Sequence, residues 1–391
     1  MSERDYADLV HTGRETLAGR YLRRFWQPVY RAEDLKSGRA MPIRIMSEDF
    51  TLYRGESGAA HIVASRCAHR GTQLSAGWVE DDCIRCFYHG WKYDGSGQCV
   101  EQPGEEESFA AKVRIQSCPT REYLGLIFAY FGAGEPPPLP RYPEFERPGT
   151  IDAYPPEYWP CNYFNRIDNA CDAAHLTFAH RESRRAIQSV RELPQISAEE
   201  TDYGVVTSMT PPGKPTMTLH FHMPNINCFF QAELKLRDPL NPSAKGQVGR
   251  LLFRVPVDDE RCVSFPLDHV PLTGKAGEEY LERRRGVERA QLATGRDPVE
   301  LGENVLNGKL RIEDVTKKDP ANLKTLTSVE DYVAQVGQGT MVNHAGERLG
   351  RMDAGILLVR KLWQRELQAM AEGKPMKTWQ RTAELNTPPE I

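Results

Sequence analysis

Apolar positions along the chain change their period several times, and each change marks an element. In the first forty residues Leu17, Tyr21, Leu22 and Phe25 recur at helical spacing, so residues 1–40 read as a helical or irregular lead-in. From Pro42 the texture turns to short β-type runs, PIRIM, FTLYR and AAHIVA. Turn-formers separate such runs: GESG at 55–58 and DGSGQ at 94–98 are hairpin signals. The β texture lasts to Phe131. The stretch GAGEPPPLP then has linker composition and cannot continue a sheet interior. A domain boundary is expected within 132–150.

The second region opens on YPPEYWPCNYF and a helix-compatible stretch from Asn165 to about Phe178. After residue 200 strands return as VVTSM, TMTLHFHM, INCFFQAELKL, GRLLFRVPV and RCVSFPLDHV. From Glu278 the chain turns helical and charged. A last helix is expected from about Ala354 to Met370, its stripe formed by Ile356, Leu357, Val359, Leu362, Trp363 and Leu367. The fold class is α+β: a lead-in at 1–40, an all-β domain at 41–150, and a larger domain at 151–391 with an antiparallel sheet flanked by helices.

Composition narrows the function. The chain has 391 residues, a net charge of −4, 40% apolar and 27% charged residues. That balance suits a folded protein and gives no bulk attraction to nucleic acid or an anionic membrane. No run approaches the ~18 apolar residues of a membrane span. The N-terminus lacks the basic start and apolar core of a secretory leader, so a cytoplasmic protein is expected. Nine scattered cysteines are not a disulfide framework. Closely spaced cysteines therefore point to metal.

Cys67, His69, Cys86 and His89 form C-x-H, sixteen residues, then C-x2-H. Two such pairs converge when two loops face each other. The donor set suits either a tetrahedral zinc or a [2Fe–2S] cluster with the cysteines on one iron and the histidines on the other. Gly71 and Gly90 follow closely, where backbone must pass near the group. Phe87, Tyr88 and Trp91 offer apolar cover. Cys83 and Cys99 fall outside the spacing.

A second set lies in RIDNACDAAHLTFAH. Asp168, Asp172 and His175 stand at i, i+4 and i+7 and would share one helical face. His180 is five beyond His175, a rotation of about 140° on a regular helix. For both imidazoles to hold one metal the helix must bend, bulge or end between them. Two histidines and a carboxylate make the facial triad of non-haem Fe(II) oxygenases. Carboxylates that could complete it are Asp258, Asp268, Asp314, Asp331, Glu347 and Asp353. Asp331, in SVEDYV, reads as the exposed face of an amphipathic helix. Asp353, in LGRMDAGILLVRKLW, opens an apolar helix among small residues. It is the expected ligand, the alternative being that it only caps that helix.

The run CAHRG…CFYHGWKY resembles the Rieske motif of the ring-hydroxylating oxygenases. The D-x2-H-x4-H segment follows in that family's order. The chain is similar to the α subunits of Rieske non-haem iron oxygenases, nearest the phthalate dioxygenase-like branch. The resemblance implies a Rieske [2Fe–2S] cluster on Cys67, His69, Cys86 and His89. It implies Fe(II) on His175, His180 and Asp353, since the family's late carboxylate ligand opens a C-terminal helix in a G-x-x-D-x-G context. Asp172 would bridge His175 to His89 of a neighbouring subunit. Electrons would come from NAD(P)H through a separate flavin or iron–sulfur reductase, with or without a ferredoxin, since no G-x-G-x-x-G follows a strand here. A homotrimer or stacked hexamer is implied, as is hydroxylation or oxidative demethylation of an aromatic or related small substrate with O₂.

The rival is a Rieske electron carrier without oxygenase activity, which would hold about two irons rather than three. Asp168 could be a solvated helix residue. His220 and His222 alternate with apolar neighbours, so both share one strand face, by default a surface. The run HRESRR at 180–185 could pair a substrate carboxylate. His11, His61, His269 and His344 lack partner spacing.

Overall fold

The turn signals of the N-terminal half close antiparallel hairpins. In the computed structural model, which describes residues 3–183, 193–231, 248–293, 297–319, 322, 325–341 and 346–380, GESG joins strands Glu48–Arg54 and Ala60–Ala64. DGSGQ joins Lys92–Tyr93 and Cys99–Glu101. Three small sheets make up this half. One runs Ala40–Ile45, Glu48–Arg54, Ala60–Ala64, Ser117–Cys118. A second runs Trp78–Glu80, Cys83–Arg85, Lys92–Tyr93, Cys99–Glu101 and carries the cysteine–histidine loops at its end. The third pairs Leu126–Ala129 with Thr120–Tyr123 and with Gln27–Arg31.

That last strand departs from the expected lead-in, since Gln27–Arg31 belongs to the β half. The residues before it pack on the second half. Tyr163 donates to the Leu9 carbonyl at 2.5 Å and Asn162 to that of Val10 at 2.9 Å. Tyr21, on helix Leu17–Leu22, meets Trp363 edge-on at 5.1 Å. The Pro-rich connection is also anchored: Trp26 donates to the Pro137 carbonyl, and Tyr142 and Phe145 are buried. One apolar cluster therefore runs through both halves, and burial of this kind supplies most of the stability.

The second half is built on one antiparallel sheet. Its order is Thr150–Ala153, Cys262–Val270, Val248–Pro256, Ile226–Gln231, Met217–His222, Gly204–Thr210, Gln195–Glu200, with Glu157–Trp159 also on Cys262–Val270. Every residue of Cys262–Val270 is buried, as for a strand covered on both faces. Helices Tyr163–Cys171, Leu326–Val336 and Ala354–Ala371 pack together over this sheet. The expected helix from Asn165 to Phe178 is broken. It stops at Cys171, restarts as the single turn His175–Phe178, and passes into a tighter turn at Ala179–Arg181.

Candidate metal centres

The cysteine–histidine loops repeat one geometry. The Cys67 N–H binds the Thr72 carbonyl and the Gly71 N–H returns to the Cys67 carbonyl, both at 2.9 Å. In the second loop the Cys86 N–H binds the Trp91 carbonyl at 2.8 Å and the Gly90 N–H the Cys86 carbonyl at 3.1 Å. Both turns close through a left-handed residue, Gly71 at φ +76° and Gly90 at φ +74°, which a side chain would strain.

Each loop buries its cysteine and presents its histidine to solvent. The imidazoles of His69 and His89 lie 4.6 Å apart, and His69 stacks on Trp91 at 4.7 Å and 8°. The Tyr93 hydroxyl accepts from the Ala68 N–H at 3.2 Å and so donates to the Cys67 sulfur at 3.3 Å. Burial pushes the Cys86 thiol up, so a thiolate there needs a compensating positive charge such as a metal.

Spacing separates the two metals the donor set allows. Ligands of one tetrahedral zinc lie ~3.3–3.8 Å from one another, given its bond lengths. Among the described residues, only His175, His180 and Asp331 bring three ligand atoms within 4.8 Å of one another. Cys67, His69, Cys86 and His89 therefore do not close on one ion. A sulfur pair on one side and an imidazole pair on the other fits a two-iron cluster.

The second centre forms where helix Tyr163–Cys171 ends. Asp172 lies just past it and its Oδ1 accepts the N–H groups of Ala174 (2.8 Å) and His175 (3.2 Å), starting the next turn. The Asp172 carbonyl also receives His175 Nδ1. At His180 the backbone leaves helical geometry, with φ −89° and ψ 23°. This kink brings the two rings to 5.1 Å. It overturns the shared helical face of Asp168, Asp172 and His175, because no continuous helix joins them.

The carboxylate between the histidines is Asp331, on helix Leu326–Val336. Its Oδ1 lies 3.9 Å from His175 Nε2 and 3.7 Å from His180 Nε2. It also accepts from Asn169 Nδ2 and Gln335 Nε2, each at 3.2 Å. The neighbouring Glu330 is buried and takes His180 Nδ1 at 3.0 Å. Both imidazoles thus turn Nε2 inward while Nδ1 is held, as in metal-ligating histidines. Burial lowers the affinity of His175 for a proton, which favours the neutral ligand form.

Asp353 does not join this group. Its Oδ2 accepts the Gly350 N–H at 2.6 Å and so closes the short turn Arg351–Asp353 that leads into helix Ala354–Ala371. The small residues around it answer to packing: a Cβ on Gly355 would stand 2.2 Å from the Cys171 carbonyl oxygen. The other carboxylates are engaged elsewhere. Asp258 pairs with Arg261, Asp268 with Arg250, Asp314 with Lys317 and Glu347 with Arg360.

Asp168 is also structural, buried against Arg360 at 2.5 Å. His220 and His222 are buried rather than on a surface face. His220 bonds the Tyr203 hydroxyl at 2.7 Å, and burial pushes it down to about 4. His222 lies against Tyr203. Arg184 and Arg185 of the basic run, and His344, lie outside the described residues. Sequence reasoning missed Glu330, Asn169, Gln335 and Tyr93. An apolar cavity of about 650 Å³, lined by Met41, Ile43, Trp159 and Phe265, includes none of the candidate ligands.

No helix among the described residues is long and apolar enough to cross a membrane. Residues 25–120 match the Rieske [2Fe-2S] domain family. The chain is 27% identical to the 5,5'-dehydrodivanillate O-demethylase oxygenase subunit of Sphingobium sp. (strain NBRC 103272 / SYK-6), over 97% of this chain and 83% of that protein. It is 28% identical to the phenoxybenzoate dioxygenase subunit alpha of Ectopseudomonas oleovorans, over 92% and 83%. The fold is that of Pseudomonas putida CBB5 NdmA, solved with caffeine, at a TM-score of 0.66 and 18% identity over 90% of this chain and 93% of that one. Residues 25–120 are thus a Rieske domain, and over nearly its whole length, with two histidines and a carboxylate gathered in its second half, the chain is similar to the oxygenase subunits of Rieske terminal oxygenases.

Proposed function

We propose that Cys67 and Cys86 hold one iron of the Rieske cluster and His69 and His89 the other, and that His175, His180 and Asp331 hold the mononuclear Fe(II). The observation that carries this is the convergence of both Nε2 atoms on Asp331 Oδ1. Bound there, the iron supplies O₂ activation using electrons from NAD(P)H. The protein's own residues do the rest. Glu330 and the Asp172 carbonyl fix the imidazoles, Asn169 and Gln335 hold the carboxylate, and Asp331, 26% exposed, leaves the site open on its side.

The substrate proposed is a small aromatic carboxylic acid carrying an ether. Both named relatives, a dehydrodivanillate O-demethylase and a phenoxybenzoate dioxygenase, act on such acids by their names. The partner is a flavin or iron–sulfur reductase, with or without a ferredoxin, and the assembly a homotrimer or stacked hexamer in the cytoplasm. In a trimer Asp172 would link His175 to His89 of the next subunit.

Substrate-dependent O₂ uptake by the reconstituted system tests this over aryl methyl ethers and benzoates. Formaldehyde release in step with O₂ uptake identifies demethylation; a hydroxylated ring without formaldehyde identifies hydroxylation. No uptake with any aromatic acid would defeat the substrate reading.

A further inference from the structure

Asp331 is held by two amides, and one of them is itself fixed from behind. Gln335 donates through Nε2 to Asp331 at 3.2 Å, while its Oε1 accepts from Arg166 Nη1 at 3.2 Å. An amide can usually be turned over without changing its shape. Here it cannot, because a guanidinium has only donors and must face the amide oxygen. The amide N–H₂ is thereby forced toward Asp331.

Arg166 is in turn held in place. It is buried, lies 3.4 Å over the Trp159 ring, and donates to Glu157 and to Ser264 at 3.2 Å each. One turn after the buried Arg166 the same helix carries the half-buried Asn169, the second donor to Asp331. Arg166, Gln335 and Asp331 therefore form a line of oriented dipoles running from a rigid buried cation to the carboxylate. A carboxylate that keeps its orientation loses little freedom when it binds a metal.

We propose that Gln335, oriented by Arg166, is a positioning residue for the iron-binding carboxylate Asp331. This rests on Asp331 being a ligand. It assigns to Gln335 a share of the site's iron affinity and of the ligand field that the iron meets.

The test uses full-length protein with its Rieske cluster intact, stripped of mononuclear iron and titrated with Fe(II). Nitric oxide then reports the iron's surroundings by EPR. Gln335→Met, which removes both hydrogen bonds at similar size, should bind Fe(II) about ten- to a hundred-fold more weakly. Its Rieske absorption should not change. Gln335→Glu keeps an acceptor for Arg166 but offers Asp331 no donor. It should melt near the parent temperature yet give an altered nitric oxide line shape. A merely structural bridge to Arg166 would be rescued by that variant, with the parent line shape, and this would overturn the proposal. So would parent Fe(II) affinity and line shape in Gln335→Met. Should Gln335→Met fail to fold, the line shape of Gln335→Glu decides. Asp331→Ala separates the two readings. If it retains iron, the ligand assignment fails; if it loses iron while both Gln335 variants match the parent, only the positioning role fails.

Discussion

Glu330 and His180 form a buried pair, the carboxylate 3.0 Å from Nδ1, with side chains 1% and 2% exposed. The same carboxylate accepts the N–H groups of Glu182 and Ser183 and the Ser183 hydroxyl. One residue therefore closes the kinked turn and aims the imidazole. Consecutive residues divide the work, with Glu330 on Nδ1 and Asp331 facing Nε2.

Glu330→Ala would strand these buried donors and free His180 to turn. Mononuclear iron affinity should fall about ten- to a hundred-fold, with the Rieske spectrum unchanged. Glu330→Gln, which keeps an acceptor, should fall between. Iron per chain after dialysis against a chelator measures both. Parent iron content in Glu330→Ala would remove Glu330 from this role.

Asp331 and Asp353 give opposite expectations. Asp331→Ala should lose mononuclear iron and turnover. Asp353→Ala should keep both, and lose only about 1 kcal/mol of stability with its hydrogen bond to the Gly350 N–H. Iron analysis beside urea unfolding distinguishes them. Iron loss in Asp353→Ala alone would restore it as the ligand.

This exchange shows where the sequence was legible. Motifs that carry their own geometry could be read directly: Cys67 to His89 with its two glycines, the DGSGQ hairpin, and the apolar stripe of the last helix apart from Leu357, which the structure exposes. Asp331 could not be, because amphipathicity assigns a polar face to solvent. On helix Leu326–Val336 that face is partly turned inward: Glu330 and Gln335 are buried, Glu330 against His180 and Gln335 against the equally buried Asn165 and Arg166 of helix Tyr163–Cys171. A buried polar face needs a partner face for its hydrogen bonds, and one sequence segment does not reveal its partner. His220 and His222 were misplaced for a related reason, since alternation on a strand predicts exposure only when one face of the sheet is open.

His220 should make stability depend on pH. Its folded value of about 4 lies below the ordinary 6.5, so the unfolded chain takes up a proton first as pH falls. The contribution is favourable above about 6.5 and is lost as pH drops toward 4, by roughly 2 kcal/mol between pH 7 and 5. Urea midpoints at the two pH values should move less in His220→Gln than in the parent. Equal movement would show that His220 is not the group responsible.

Asp172 ties the second centre to quaternary structure. Its Oδ1 caps the turn that carries His175, and its carbonyl holds His175 Nδ1, while in the proposed trimer its carboxylate would reach His89 of the next subunit. His89 is exposed at the edge of its loop, ringed by exposed Phe87 and Tyr88, as a surface that meets a neighbour requires. Removing the whole side chain, as in Asp172→Ala, confounds the bridge with the cap, whose loss costs about 1 kcal/mol by itself. Asp172→Asn keeps an oxygen for the cap and removes the charge. It should therefore load both metal centres, keep the parent Rieske spectrum, and assemble normally. Reoxidation of the reduced cluster by O₂ with substrate present should nonetheless slow by orders of magnitude, because the path to the mononuclear iron is interrupted. Stopped-flow absorption of the cluster measures that rate. Parent-rate reoxidation in Asp172→Asn with full metal content, or full activity in a protein that sediments as a monomer, would remove Asp172 from the path.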